Sequence, residues 1–331
     1  MVGALKVFGS TFLQKGAKKG AKKNAFYKKW RKKAKKNKHT SKVASLKEIK
    51  GRIESIRSTR KITSAMKMVA AAKLHRTQRE ATALVPYSEE LQTIVAHLVG
   101  GEGVGRIPLA EEREVGCVRI VGFASNSSLC GAYNANVARE VAAARAKYSA
   151  LPPESVEVVA MGKRLARELR RADIAHSEGD AELAEHPTYE ALRTMAEGLM
   201  GDFMQGHIDR VELVYYKFHS AGRQELVCER LLPVELPVSD SEVWNPEVPY
   251  ILEPSREELI ATLLPREVSL RLYTAALSAL ASEHAARMLA MQAATDNADE
   301  LIGELSVEYN KQRQQAITAE LLDIVGGQNS Q

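Results

Sequence analysis

The sequence has few of the features on which most enzymes and membrane proteins depend. Aromatic residues make up only 5% of its 331 residues, and a low aromatic content with many Ala, Leu and Glu residues is typical of long helices. No apolar run reaches the roughly 18–20 residues that a membrane-spanning helix needs. The three cysteines, Cys117, Cys130 and Cys228, form no CxxC pair, so we interpret them as buried thiols of a protein in a reducing compartment.

Motifs for nucleotide binding, metal binding and catalysis are also missing. There is no GxxxxGK[ST] or GxGxxG loop, so nucleotide binding by a glycine-rich loop has no support. No HExxH, GxSxG or paired-cysteine motif occurs either. His284 has no second histidine one helical turn away, and we interpret it as a polar helix residue. We therefore expect no catalytic residue, no cofactor and no metal.

Acidic residues are absent from positions 1–43, which hold 15 Lys and Arg. The whole chain has a net charge of +6, but its remaining 32 basic residues face 41 acidic ones. The chain beyond position 43 therefore carries about −9, which disfavours nucleic-acid binding by that part. A segment of such high charge density does not fold alone, so we predict a disordered basic extension over 1–43.

A long helix is predicted over residues 44–100. Ser45 is a good N-cap, and Glu48 supplies the second half of a capping box. Apolar residues then recur at spacings of three and four, as in the seam of a coiled coil. We expect Pro86 to kink or end this helix, because proline lacks the N–H group and clashes with the preceding turn. A short helix over Tyr87–Leu98 would then follow.

A second long helix is predicted over residues 265–325. This segment has no proline after Pro265, and its apolar and small residues recur at helical spacing. A helix of this length extends roughly 90 Å. We expect it to end at Gly326-Gly327.

Between these helices, residues 112–250 alternate strand and helix patterns, which favours a parallel or mixed sheet covered by helices. The predicted strands are Val115–Phe123, Val156–Met161, Val211–His219 and Leu226–Val234, and the predicted helices are Ala132–Tyr148, Lys163–Arg171 and Pro187–Gln205. The chain enters this domain along the first terminal helix and leaves it along the last. We therefore expect the two helices to lie side by side and to pair antiparallel. The predicted fold class is α/β, with a long antiparallel coiled coil of N- and C-terminal helices and a central Rossmann-like α/β domain.

Both terminal helices resemble those of the γ subunit of rotary F-type ATP synthases. The first reads SLKEIKGRIESIRSTRKITSAMKMVAAAKL, and the last contains SEHAARMLAMQAATDNADELIGELSVEYNKQRQQAITAELLDIVGG. Between them, NSSLCGAYN is similar to a DRGLCGGFN-type segment of the family, with Asn126 and Ser127 in place of the charged pair. The resemblance covers about residues 44–327.

The resemblance implies a non-catalytic rotor shaft that couples ion-driven c-ring rotation to conformational cycling of the catalytic β subunits. The implied partners are the α and β subunits of the catalytic ring, the ε subunit and the c-ring, with no nucleic acid. The implied location is peripheral, on the cytoplasmic face of the bacterial plasma membrane or, alternatively, on the matrix side of the mitochondrial inner membrane.

The resemblance also implies roles for individual residues. Met66 corresponds to a position near the acidic lever segment of β, and Arg313, Gln314 and Thr318 correspond to positions that hydrogen-bond a catch loop on β. The first helix is basic from Leu46 to Arg79, which suits acidic β loops; the alternative is a solvated face of a coiled coil. The apolar residues expected to turn within a hydrophobic sleeve of the ring, or only to finish the coiled-coil seam, are Ile317, Leu321, Leu322, Ile324 and Val325.

The basic extension raises the question of where translation starts. Family members often begin MASLKEI, whereas this chain reads VASLKEI from Val43 to Ile49. A GTG start codon read as valine, in a gene start placed too far upstream, would give this pattern. We predict that the mature protein begins at residue 43, so that the intact mass of the native subunit lies well below 36.4 kDa. A native species of the full mass would contradict this.

Two other functions are consistent with parts of the sequence. A nucleic-acid-binding coiled-coil protein would use the Lys-rich extension with its interleaved Phe26, Tyr27 and Trp30; salt-sensitive retention of the body on DNA or RNA would distinguish it. A generic coiled-coil adaptor would leave the paired terminal motifs unexplained.

Overall fold

The computed structural model describes residues 46–99, 106–236 and 252–328, with side chains up to residue 322. The predicted basic extension lies outside this part. The helices, in chain order, are α1 (Leu46–Val99), α2 (Tyr133–Lys147), α3 (Lys163–Arg171), α4 (Ala181–Glu185), α5 (Tyr189–Met204) and α6 (Arg256–Gln328). The strands are β1 (Val118–Phe123), β2 (Val156–Met161), β3 (Ser177–Glu178), β4 (Arg210–Ser220) and β5 (Arg223–Leu232). The predicted fold class, mixed α/β with long helices at both ends, is confirmed.

Helix α1 does not end at Pro86, and no separate helix begins at Tyr87. Apolar side chains hold the helix on both sides of the proline: Leu84 packs against the main hydrophobic core, and Leu91 and Val95 are buried in it. Packing of an apolar face contributes more to helix stability than local propensity does. One lost backbone hydrogen bond at Pro86 is therefore tolerated.

Helix α6 is longer than predicted at both ends. It begins at Arg256, nine residues before Pro265, because Ile260 and Leu264 pack into the protein and extend the buried face through the proline. It also continues through Gly326-Gly327. A helical glycine costs only about 1 kcal/mol relative to alanine, so two glycines do not by themselves end a helix.

The central sheet has the strand order β3-β2-β1-β4-β5. Strand β1 pairs in parallel with β2 on one side and β4 on the other, and β5 closes the edge antiparallel to β4. Side chains of β1 alternate between two cores: Ile120 belongs to one shared with α2 and α3, and Val121 to one shared with α1, α5 and α6. The sheet is therefore covered on both faces, as the strand–helix alternation predicts.

Two glycines set the distances around β1. A Cβ atom on Gly122 would lie 2.8 Å from a methyl carbon of Leu165 and 2.9 Å from one of Val141. Gly122 therefore allows α2 and α3 to pack closely against the strand. Gly162, between β2 and α3, has φ +113° and lies against the carbonyl oxygen of Ala124, a conformation and an approach that favour glycine.

The described chain divides into two compact units. One comprises the start of α1, to Ser55, and the end of α6, from Ile302; Ile49 and Ile53 are buried there. In this unit the half-buried residues of α6 recur at spacings of three and four, so one stripe of the helix is covered. The other unit, Ile56–Leu301, contains the sheet, its helices and the rest of α1 and α6.

Candidate interaction surface of the terminal helices

Three polar contacts join α1 to α6 within the unit Ile56–Leu301. Arg60 Nε lies 2.8 Å from Asp299 Oδ1, the hydroxyls of Thr63 and Thr295 lie 2.9 Å apart, and Lys67 Nζ donates to Gln292 Oε1 at 2.8 Å. The residue number rises along α1 as it falls along α6. The two helices therefore pair antiparallel in this unit, as predicted.

Small apolar residues continue the pairing beyond these contacts. Leu74 of α1 is buried in one cluster with Ala281 and Ala285 of α6. Ala70 is also buried, with an exposed fraction of 2%. Alanine lets helix axes approach closely, so few atoms separate the two helices here.

Helix α6 is fixed to the sheet by hydrogen bonds as well as by apolar packing. The hydroxyl of Tyr133 donates to the Ala279 carbonyl at 2.8 Å, and Ser282 Oγ donates to the Tyr216 carbonyl at 3.1 Å. The backbone N–H of Phe218 donates to Ser278 Oγ at 2.7 Å. These bonds pin one face of α6 to β4 and α2 in a fixed register.

One turn further along α6, an ion pair is buried beside the turn that follows β1. Arg287 Nη1 lies 2.5 Å from Glu283 Oε1, and the two side chains are only 12% and 8% exposed. The second terminal nitrogen of Arg287 donates to Ser127 Oγ at 2.6 Å. Burial raises the pKa of Glu283, and the neighbouring Arg287 opposes that rise. This group of contacts, which we call the Arg287 junction, ties α6 to the turn.

The turn itself is organised by its own polar side chains. The backbone N–H of Ser125 donates to Asn134 Oδ1 at 3.0 Å, and Asn126 Oδ1 accepts from the N–H of Lys163 at 3.0 Å. The side-chain amide of Asn126 donates to the Ala181 carbonyl at 2.6 Å. Asn126 thus links the turn to α3 and α4. It forms these bonds as a neutral side chain, at a position where the DRGLCGGFN-type segment has a charged one.

His284 lies next to the Arg287 junction and is buried, with an exposed fraction of 5%. Its Nδ1 atom has no hydrogen-bond partner in the described part of the chain. Burial, together with the positive charges of the nearby Arg287, Lys73 and His186, lowers the pKa of His284 to about 4. His284 is therefore neutral at physiological pH, which agrees with its interpretation as a polar helix residue.

Met66 is half-buried and lines a cavity of about 280 Å³ between α1, α6 and the turn after β1. Around it, α1 presents apolar side chains to the outside: Ile62, Met68 and Val69 are about 60% exposed. Single exposed apolar residues are ordinary, but Ile62 and Val69 are seven residues apart and share one face of the helix, where they form a patch that favours a partner; Met68 projects from another face. Met66 borders this patch.

Several basic residues of α1 are already engaged. Lys73 Nζ lies 3.9 Å from Glu185 Oε1, and Arg76 pairs with Glu80 at 3.1 Å. Arg60 and Lys67 contact α6, as described above. The exposed lysines and arginines of α1 that form no ion pair within the described part of the chain are Lys47, Lys50, Arg52, Arg57, Lys61 and Arg79, of which Arg79 donates a hydrogen bond to His75.

The residues predicted to contact β near the end of α6 are exposed. Arg313, Gln314 and Thr318 lie outside the half-buried stripe, and the only side-chain bond within this set is local, from Thr318 Oγ1 to the Gln314 carbonyl at 2.8 Å. Ile317, Leu321 and Leu322 are 48%, 58% and 66% exposed, so they do not finish a buried seam. The side chains of Ile324 and Val325 lie outside the described part. Met66 belongs to the other unit.

Sequence reasoning missed the Arg287 junction. Glu283 and Arg287 stand four residues apart in the stretch SEHAARML, where their neighbours are mostly small or apolar. A charged pair at that spacing within an apolar stretch was the available signal for a buried ion pair.

Comparison with known proteins assigns the family. A family model described as ATP synthase matches residues 45–330. The chain is 47% identical over 287 residues to the ATP synthase gamma chain of Bacteroides fragilis. The matched region covers 86% of this chain and 99% of that one. The chain belongs to the ATP synthase gamma chain family. A relative from Flavobacterium johnsoniae is 42% identical over 286 residues, with 86% and 98% covered.

Solved structures of distant members have the same fold. The rotor of Euglena gracilis mitochondrial ATP synthase in rotational state 1 superposes with a TM-score of 0.55 at 18% identity, over 82% of this chain and 98% of that one. A second Euglena gracilis structure, of OSCP, F1 and the c-ring in rotational state 3, gives 0.57 at 19% identity, over 86% and 94%. At these identities the likeness establishes the fold. Gamma chains form part of the central stalk of F-type ATP synthases.

The described residues include neither a membrane-spanning helix nor a cluster of metal ligands. None of the helices there combines the length and the apolar character that crossing a membrane requires. Residues 46–99, 106–236 and 252–328 contain no group of three or more His, Cys, Asp or Glu side chains placed to hold a metal ion.

Proposed function

We propose that this chain is the central rotor shaft of an F-type ATP synthase, and that it couples ion-driven rotation of the c-ring to ATP synthesis at the catalytic β subunits. The observation that carries the proposal is the family match over residues 45–330, which spans nearly the full length of the bacterial relatives. The chain itself is non-catalytic in this proposal, and ATP chemistry belongs to the surrounding subunits.

The helix pair suits a part that transmits torque. Two antiparallel helices joined by side-chain contacts resist bending and twisting more than one helix does, because deformation of either must break contacts with the other. The fixed register of α6 on the sheet, set by Ser278, Ser282 and Tyr133, would pass torque between the central domain and the helices. The partners proposed are the α and β subunits, the ε subunit and the c-ring.

The contacts with β are assigned to two surfaces. Near Met66, exposed apolar and basic side chains of α1 would meet the acidic lever segment of β, and long-range attraction needs no fixed partner as the shaft turns. At the end of α6, Arg313, Gln314 and Thr318 would hydrogen-bond the catch loop. Apolar contacts with the hydrophobic sleeve of the ring would be made by Ile317, Leu321, Leu322, Ile324 and Val325. Such contacts tolerate rotation because apolar contact is non-directional.

The proposed location is peripheral, on the cytoplasmic face of a bacterial plasma membrane, through the c-ring and ε. The bacterial relatives support this assignment. Recovery of a tagged full-length chain with α and β subunits from membranes is the expected result. Recovery without them would count against the whole proposal.

Loss of the Arg313 contact is expected to slow coupled ATP synthesis about tenfold in the assembled enzyme. A hydrogen bond to a charged group contributes about 1.5–3 kcal/mol, and 1.4 kcal/mol corresponds to a factor of ten. The measurement compares Arg313→Ala with wild type for ATP synthesis driven by a proton gradient in membrane vesicles.

Lys311→Ala is the matched control for that experiment, because Lys311 is another exposed basic residue two positions earlier on α6. We expect it to retain wild-type rates. If Arg313→Ala and Lys311→Ala have equal rates, the assigned contact between Arg313 and the catch loop is wrong, although the rotor assignment would stand.

A further inference from the structure

An apolar cavity of about 510 Å³ opens between the segment before β1, helix α5 and the first turns of α6. It is lined by Met200 and Met204 of α5 and by Ile260, Ala261 and Leu264 of α6. Ile107, Pro108, Leu109 and Pro265 also line it. The two surfaces assigned above to contacts with β do not include these residues.

Its size and lining are those of a small-molecule site. Sites for small ligands measure roughly 300–1,000 Å³ and are mostly apolar, with a few polar groups at defined positions. Met204 is 57% exposed at the cavity. Methionine side chains are flexible and polarizable, so they adapt to the shape of an apolar ligand.

Three charged side chains, Arg106, Glu197 and Glu257, also line the cavity, and their charges do not cancel. Arg106 is held by Glu111 through two hydrogen bonds, one of them from Nε to Oε2 at 3.0 Å, so its charge is already matched. Glu197 lies 3.8 Å from Arg193 Nε. Glu257 is exposed and forms no ion pair within the described part of the chain. The rim therefore has one carboxylate in excess.

We propose that this cavity binds a lipophilic amine, with the apolar body against Met200, Ile260 and Leu264 and the protonated amine beside Glu257. An acidic amphiphile would be repelled by Glu257 and would have to compete with Glu111 for Arg106. A purely apolar ligand would leave the excess carboxylate unused. Charge complementarity therefore favours a cation over an anion of the same length.

Isothermal titration of the purified full-length chain tests this, with dodecylammonium and dodecanoate as probes below their micelle-forming concentrations. We expect saturable binding of dodecylammonium, about tenfold tighter than that of dodecanoate, because the exposed carboxylate of Glu257 attracts the ammonium group and repels the carboxylate group. Equal affinity for the two probes, or no binding of dodecylammonium, would overturn the proposal.

Variants locate the site. Ala261 is exposed, so Ala261→Trp should fill the cavity without disturbing the core and abolish saturable binding. Glu257→Gln should weaken dodecylammonium binding two- to fivefold and reduce the preference over dodecanoate. Glu258→Gln, the matched control, removes an exposed carboxylate that does not line the cavity and should bind as wild type does. Wild-type affinity in Ala261→Trp would show that the probe binds elsewhere, and the site would be wrong.

Discussion

Replacing Arg287 by alanine is expected to lower the free energy of unfolding by about 3–5 kcal/mol. The substitution leaves the Glu283 carboxylate buried without its cation, and removal of one partner of a buried ion pair has a cost of this size. It also removes the hydrogen bond that Arg287 donates to Ser127. Urea denaturation of the full-length chain at neutral pH, followed by circular dichroism, measures the difference.

The effect of this substitution should shrink as the pH falls. Burial raises the folded-state pKa of Glu283 above its value in the unfolded chain, and loss of Arg287 would raise it further. A carboxyl group with a raised folded pKa destabilises the protein where it is ionised, above that pKa, and ceases to do so below the unfolded value of about 4.3. The difference between variant and wild type is therefore largest at neutral pH and smallest near pH 4.

An exposed pair of the same chemistry provides the control. Arg171 pairs with Glu168 on the surface of α3, and its side chain is 59% exposed. Arg171→Ala should change the unfolding free energy by less than about 1 kcal/mol. If Arg287→Ala does not fold, the double variant Glu283→Leu with Arg287→Met should recover most of the stability, since an apolar pair of similar volume often replaces a buried ion pair without loss. A single variant as stable as Arg171→Ala would contradict the buried-pair account.

Periodicity predicted most of the fold because it reports which face of an element is buried. Val156–Met161 and Lys163–Arg171 have the predicted bounds, since each is a short amphipathic or apolar run between clear breaks. Strand β3 and helix α4 were missed because two and five residues are too short to show a period. The helix end predicted at Pro86 was wrong because the local cost of the proline was judged without the packing that offsets it. The helix start predicted at Pro265 was too late because the buried Ile260 and Leu264 before it were left out.

The candidate site was predictable only in part. Thr63, Lys67 and their partners on α6 are 225 or more residues apart in the sequence, so no local pattern could pair them; the antiparallel arrangement followed from chain connectivity alone. The assignment of Met66, Arg313, Gln314 and Thr318 rests on family resemblance, and it stays a prediction. What the structure adds is exposure: the three residues of α6 are outside the buried stripe, where a partner could reach them.

His284 is expected to make the protein less stable as the pH falls from 6.5 toward 4. Its folded pKa is about 4, whereas an unfolded histidine has a pKa near 6.5. For a depressed folded pKa, the unfolded chain binds the proton first, so the contribution to stability is complete above pH 6.5 and declines as the pH falls through this window. The total loss is on the order of 3 kcal/mol.

The opposite contribution from Glu283 overlaps this window, so the effect of His284 has to be measured as a difference. His284→Gln keeps a polar side chain that does not titrate, and the wild type should lose on the order of 3 kcal/mol more than this variant between pH 7 and pH 4. His219→Gln is the control, because His219 is partly exposed beside Glu225 on the β4–β5 hairpin, and its removal should leave most of the wild-type pH dependence in place. Parallel stability curves for wild type and His284→Gln would mean that His284 is protonated without cost. Neither the burial of His284 nor the positive charges of Arg287, Lys73 and His186 would then oppose its ionisation.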